Sequence, residues 1–299
     1  MGKSLVKAFK WISNKFNENP LTKNNKLSAY YRYIKFNTEQ IFFNEERVYP
    51  FLSHTKFYAK KGLSGIVPNI YFGLHEVEEM GFLLHYLIPS DIFLDIGANV
   101  GAYTILASGE KNCKSIAIEP IPETFNYLKK NIELNKLDQK VTLHNVGLSY
   151  KNDRLFFSNN KDSMNHVVPI KSNNSIEIEV FTANDLIKEP INYMKIDVEG
   201  FEKFVLDGAS IILENKTLNI LQIELNTFGQ KYKTNDNDIH QLILSYGFSP
   251  YKYDPFNRKI EVLKSYRKDQ YNTLYIRDLE LAKNRIKNAD KIKIRNFRF

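Results

Sequence analysis

Residues 93–108, FLDIGANVGAYTILAS, start as an apolar strand, break into a turn with two glycines and an asparagine, and resume with helical spacing. In an open parallel sheet, ligands sit beyond the carboxyl ends of the strands. Gly97 allows a sharp turn without a Cβ clash, Asn99 tolerates left-handed dihedrals, and Gly101 starts the next helix. Asp95 places a carboxylate at the mouth of the strand. Together these residues read as a strand–turn–helix unit that cradles a ligand.

The segments on either side repeat the alternation. KSIAIEP (114–120) is a strand, PETFNYLKKNIELN (122–135) a helix and KVTLHNVGL (140–148) a strand. After an interruption over 148–182, where RLFFSNN and SIEIEVFTA look strand-like, the pattern returns. It runs through the strand NYMKIDVEG, a helix at 201–214, the strand LNILQIEL and a helix at 236–246. RKIEVLKS and YNTLYIR follow in hairpin-like order. Short apolar strands alternating with helices predict an α/β fold with a doubly wound, mostly parallel sheet. Its domain should span residues 75–278.

Residues 1–74 form an N-terminal extension and 279–299 a basic tail. Within the extension, 1–20 should be an amphipathic helix with Leu5, Phe9, Ile12 and Phe16 on one face and Lys3, Lys7, Lys10 and Lys15 elsewhere, stopped by Pro20. Docking of that face on the catalytic domain is expected in preference to a membrane surface. Residues 21–90 are mixed, with helical periodicity from Glu76 to Leu87.

The 299 residues are 43% hydrophobic, enough for a sizeable core. One cysteine, Cys113, rules out an internal disulfide and a cysteine-based zinc site. With no apolar run of membrane-spanning length and no signal-peptide pattern, a soluble cytoplasmic protein is the expectation. The net charge is +8, much of it at the two ends. Such ends suit a solvated surface, or peripheral contact with anionic lipid or nucleic acid.

The turn also discriminates between cofactors. A dinucleotide site requires G-x-G-x-x-G, whereas here Gly97 and Gly101 have no third partner. A strand-end carboxylate repels a pyrophosphate but attracts the amino group of an amino acid, as in S-adenosylmethionine (SAM). Glu119, about 20 residues after the turn, is placed to accept the ribose hydroxyls of an adenosine.

YFGLHEVEEMGFLLHYL, FLDIGANVGAYTILAS, IAIEPIPETFNYLKKNIELN, NHVV and MKIDVEGFEKFVLDGA occur in this order. Over roughly 68–228 the chain resembles the FkbM family of SAM-dependent methyltransferases. The resemblance implies a Rossmann-like class I methyltransferase fold with an antiparallel last strand. It implies SAM binding at Asp95, Gly97, Asn99, Gly101 and Glu119, with adenine near Asn145 and Val146. It also implies methyl transfer to oxygen, on a small-molecule or glycan hydroxyl.

The proton acceptor should lie at a strand end or in the insertion. His166, Asp197 and Glu199 are the candidates; His75 and Glu76, ranked below them, could close over the cofactor, and Glu224 could line the acceptor pocket or cap its strand. The Asp197–Glu199 pair could instead hold an acceptor hydroxyl or a hard cation such as Mg²⁺. Two alternatives remain open here: an RNA methyltransferase, prompted by the basic ends, and a non-catalytic SAM-binding scaffold at a membrane surface.

Overall fold

The quoted turn leaves the first strand of an eight-stranded sheet. The computed structural model describes residues 2–159 and 165–299, with side chains from residue 9 onward. The sheet consists of β1 (Ile92–Ile96), β2 (Lys114–Ile118), β3 (Val141–His144), β4 (Tyr193–Ile196), β5 (Ile220–Glu224), β6 (Ser249–Asp254), β7 (Lys259–Val262) and β8 (Asn272–Ile276). Their spatial order is β3-β2-β1-β4-β5-β8-β6-β7. Strands β1 to β5 pair in parallel, and β8 inserts antiparallel between β5 and β6. This is the Rossmann-like order with an antiparallel strand that the resemblance implied. The order reverses at β1, so the carboxyl ends of β1 and β4 flank the switch point where such sheets bind ligands.

Both faces of the sheet are covered, which is why its parallel strands are apolar on both sides. Phe93 and Tyr193 belong to one buried cluster; Leu94, Ile96, Met194 and Ile196 belong to the other. One strand was missed. RKIEVLKS and YNTLYIR do not form the expected hairpin, because β6 lies between them and pairs with both β7 and β8. Its sequence, SPYKYD, carries a proline and a lysine and imitates a loop.

KVTLHNVGL is also two elements. Its first half is β3, while Gly147–Leu148 joins a second, four-stranded sheet with Asp153–Ser158, Val167–Val168 and Ser175–Phe181. The 148–182 interruption is therefore a small β-layer at the cleft.

The N-terminal residues form helix α1 (Gly2–Glu18), helix α2 (Lys26–Phe43) and the hairpin Arg47–Pro50/Lys56–Ala59. Ile12 and Phe16 are fully buried in the same cluster as Phe93 and Tyr193, and Phe16 packs against Tyr30 and Tyr33 of α2 and against Phe72, so this helix is docked on the body of the protein. Phe9 is half exposed, and the Leu5 side chain lies outside the described residues. Residues 279–299 are also folded. The helix Leu279–Asn288 is tied to Asp91 by Arg285 at 2.6 Å, and Phe299 is buried.

The two ends of the chain meet at the short helix Val67–Phe72. Arg32 donates to the Tyr71 carbonyl at 2.7 and 3.0 Å, and Arg295 donates to the Tyr71 and Ile70 carbonyls at 3.0 and 2.6 Å. Guanidinium groups satisfy the free carbonyls of a helix C-terminus and oppose its dipole. They fix the segment that leads to His75 and Glu76. Among the described residues, no helix is long and apolar enough to cross a membrane.

Candidate active site

The carboxyl ends of β1, β2, β4 and β5 open into one cleft. Asp95, Gly97, Asn99, Glu119, Val146, Asp197, Glu199 and Glu224 line it, with His75 and Glu76 on its rim and Phe157 and Asn165 contributed by the small sheet.

One half of the cleft is a cradle of backbone. Gly97 has φ +77°, Asn99 φ +50° and Gly101 φ +91°. A Cβ on Gly97 would lie 1.9 Å from the Asp197 carbonyl oxygen, so the β1 turn and the β4 end can touch only through a glycine. Glu119 ties this turn to the end of β2. Its Oε2 accepts from the Asn99 N–H at 3.0 Å and its Oε1 from the Ile121 N–H at 2.9 Å. Burial pushes its carboxyl up to about 7, against the pull of those two donors. Asp95 is buried, and its Oδ2 accepts from the Thr104 hydroxyl at 2.6 Å. Its Oδ1 has no hydrogen-bond partner among the described residues. An orphaned buried carboxylate oxygen is rare and calls for a donor; the ammonium of an amino-acid ligand is one.

Two predicted cofactor residues act from behind the cradle. Asn145 does not line the cleft; its amide donates to the carbonyls of Glu119 at 2.8 Å and Pro120 at 3.0 Å and holds that loop. Gly101 packs against Leu128, where a Cβ would approach Cδ1 to 2.6 Å.

The other half is acidic around one buried cation. Lys195 is 3% exposed, with Nζ 2.9 Å from Asp197 Oδ2 and 4.9 Å from the centre of the Tyr103 ring. Burial by itself depresses its ammonium, but Asp197, Asp95 and Glu76 outweigh this and raise it. Lys195 was not foreseen as a site residue. The available signal was a lysine inside the apolar strand NYMKIDV, a position that buries it unless a carboxylate receives it. Behind it, the Tyr103 hydroxyl donates to Glu76 at 2.5 Å, and the amides of Gln222 and Asn272 donate to Tyr103 and Glu76 at 3.1 and 2.9 Å.

Asp197, Glu199 and Glu224 each offer an oxygen within 4.8 Å of the others. That spacing could hold a hard cation, although one Asp197 oxygen already accepts from Lys195. Burial, followed by repulsion from Asp197 and Glu202, pushes Glu199 up to about 7. Burial, followed by Asp197 and Glu199, pushes Glu224 up to about 10. Crowded carboxylates cannot all ionise, so near neutral pH Glu224 keeps its proton. Glu199 sits at φ +54° in a turn that Glu202 holds by accepting from the Gly200 N–H at 3.0 Å.

His166 is half buried in the small sheet's connection. Its backbone N–H donates to the Ser158 hydroxyl at 3.0 Å, and its carbonyl accepts from the Ser158 N–H at 2.9 Å. Its neighbour Asn165, rather than His166, lines the cleft. Residues 160–164, which include part of the DSMNHVV stretch, lie outside the described residues.

Residues 95–250, more than half of the chain, match the family model described as the methyltransferase FkbM domain. The chain belongs to the FkbM methyltransferase family. This bears out the resemblance carried by the glycine turn and KIDVEGFE. Among relatives of this FkbM protein, the hexuronic acid methyltransferase AglP of Haloferax volcanii is 26% identical over 152 residues, 50% of this chain and 62% of AglP. Methyltransferase 1 of Beauveria bassiana is 27% identical over 148 residues, 40% of this chain and 59% of that protein. The chain thus matches less than two thirds of the length of either. A mouse tRNA (guanine(37)-N(1))-methyltransferase is 36% identical over 78 residues, 26% of this chain and 15% of that enzyme. The crystal structure of an FkbM methyltransferase from Methylobacillus flagellatus superposes with a TM-score of 0.47 at 19% identity, over 73% of this chain and 55% of that one.

Proposed function

We propose that this FkbM-family protein transfers the methyl group of SAM to a hydroxyl of a sugar, with a hexuronic acid in a glycan as the leading acceptor. The observation that carries the reading is the division of the cleft. One end has the glycine turn, Glu119 and the Asp95 oxygen that has no partner among the described residues, an acceptor set for the ribose hydroxyls of an adenosine and for a free ammonium. The other end has Glu199 and Glu224 beside the Lys195–Asp197 pair, groups that accept from and donate to sugar hydroxyls. The name of AglP supports the acceptor class.

Bound SAM supplies a methyl group already activated on a sulfonium. In this reading Asp95 receives its ammonium, Glu119 its ribose and the loop at Val146 its adenine. Glu224, protonated, donates to the acceptor, and Glu199 takes the hydroxyl proton as the oxygen–methyl bond forms and the sulfur–methyl bond breaks, the pair of electrons leaving on the neutral thioether S-adenosylhomocysteine. A reducing, cytoplasmic compartment suits a chain whose single thiol, Cys113, is buried.

Glu119→Ala should weaken SAM binding by about tenfold or more, since it removes a charge-assisted acceptor worth roughly 1.5–3 kcal/mol. Calorimetry reads this; unchanged affinity in a folded variant would remove Glu119 from the cofactor site.

The acceptor is tested by single-turnover transfer of labelled methyl to uronic-acid oligosaccharides, with bulk tRNA in parallel. An ether-linked label on the sugar supports the proposal. A label on a tRNA base nitrogen would replace it by the nucleic-acid reading, for which the tRNA methyltransferase match is too short to carry an acceptor. No transfer to either class would favour the non-catalytic scaffold.

A further inference from the structure

Helix α2 is apolar on two opposite faces. Ala29, Phe36 and Gln40 are buried against the body. Leu27, Tyr31, Ile34 and Ile41 follow one another at spacings of four, three and seven residues, the period of a single helical face. They are 86%, 65%, 55% and 73% exposed, and the adjacent Phe42 is 76% exposed. Exposed leucines scattered singly are ordinary. A stripe of large apolar side chains along four turns, interrupted at Thr38, is not, because a helix in water normally turns polar residues outward. Contiguous exposed apolar surface marks a contact site.

The charge beside the stripe selects its partner. Lys23, Lys26 and Lys35 are exposed along or next to it. Residues 1–48 carry nine basic and four acidic side chains. Three of those acids are already engaged: Glu18 pairs with Lys15 at 2.9 Å, Glu39 accepts from the Tyr49 hydroxyl at 3.2 Å, and Glu46 pairs with Lys130 at 2.8 Å. Glu45 remains exposed at the end of the helix. A second copy of the chain would set lysines against lysines, which opposes association. An anionic lipid surface offers apolar depth to Leu27, Ile34, Ile41 and Phe42 and negative headgroups to the lysines, the combination that holds an amphipathic helix in the plane of a membrane interface.

We propose that the outer face of α2 docks the protein on an anionic membrane surface, with the helix lying in the plane of the headgroups. The attachment is peripheral and reversible. It is independent of α1, whose Ile12 and Phe16 are spent on the protein's own core.

The test is co-sedimentation of the full chain with vesicles of phosphatidylcholine containing phosphatidylglycerol, beside vesicles of phosphatidylcholine alone. The intact protein should partition at least tenfold more onto the anionic vesicles, and the excess should fall as salt rises. Leu27→Gln/Ile34→Gln/Ile41→Gln should abolish retention while circular dichroism and methyl transfer to a soluble acceptor stay unchanged, since these side chains face solvent. Lys26→Gln/Lys35→Gln should lower retention severalfold without touching the apolar stripe. Absence of binding by the intact protein would overturn the proposal, as would retention unchanged in the triple variant. So would light scattering that shows a dimer abolished by the triple variant, because a second copy would then cover the face.

Discussion

Glu199→Gln should lower turnover by about 10²–10⁴-fold, the usual contribution of a positioned general base, while SAM affinity changes by no more than about threefold. The isosteric amide keeps the left-handed turn that Glu202 organises but cannot take a proton. Glu199 suits the task because burial and its acidic neighbours bring its carboxyl to about 7. A base works only when deprotonated, so the single-turnover rate of the native protein should climb with pH through about 7 and then level off. That inflection should vanish in Glu199→Gln. Asp197→Asn should also lower turnover, by loosening the Lys195 pair beside Glu199, but with a different signature. It strips a buried lysine of its nearest partner, and breaking a buried pair costs roughly 3–5 kcal/mol of stability, so its melting temperature should fall as well. Full activity in Glu199→Gln together with loss in His166→Ala would move the base to the small sheet.

Gly97→Ala should abolish measurable SAM binding and destabilise the fold by about 2–5 kcal/mol. The left-handed backbone costs a side chain about 1–2 kcal/mol, and inserting a methyl into a filled site costs about 1–3 more. The clash here is with backbone: the new Cβ would sit 1.9 Å from the Asp197 carbonyl oxygen. No rotamer relieves it, so the turn and the end of β4 must separate and the cradle opens. Gly62 provides the control. It also has a positive φ, +103°, but has nothing within 4 Å of an added Cβ. Gly62→Ala should therefore lose only the backbone share and keep its SAM affinity. Calorimetric titration and denaturant melts of the two variants separate clash from strain, and equal behaviour of the pair would refute the close-contact argument.

The parts of the site that a sequence shows are those where backbone geometry dictates residue type. Gly97, Asn99 and Gly101 all have positive φ, and only a few residue types tolerate that. Glu119 was legible because the length of one helical crossover fixes its distance from the turn. Lys195 was not legible as a site residue, since its role depends on Asp197, Asp95 and Glu76, which come together only when β1 and β4 pair in register and the segment carrying Glu76 folds over them. The order of the parallel strands followed from their alternation with helices. β6 escaped because a strand near the sheet edge tolerates the proline and lysine that a central strand would exclude. The unpartnered face of α2 was hidden for a different reason. Apolar residues all around a helix carry no periodicity, so SAYYRYIKF showed aromatic content without showing which side met the core.

The clamp on the helix Val67–Phe72 has a consequence in time. The bond from Arg295 to the Tyr71 carbonyl closes a span of 224 residues. Contacts so distant in sequence form late, after the local pairings that bring them within reach. During synthesis at about 5–20 residues per second, Arg295 follows Tyr71 by about 10–45 s. The strand–turn–helix units from β1 to β3 are complete long before that, and so are Arg32 and Tyr103, which hold the Tyr71 carbonyl and Glu76, so Arg295 adds a late bond to a segment that earlier chain has already placed. The second half of the clamp then closes as a late event in the life of each molecule, set by when Arg295 reaches the helix it holds.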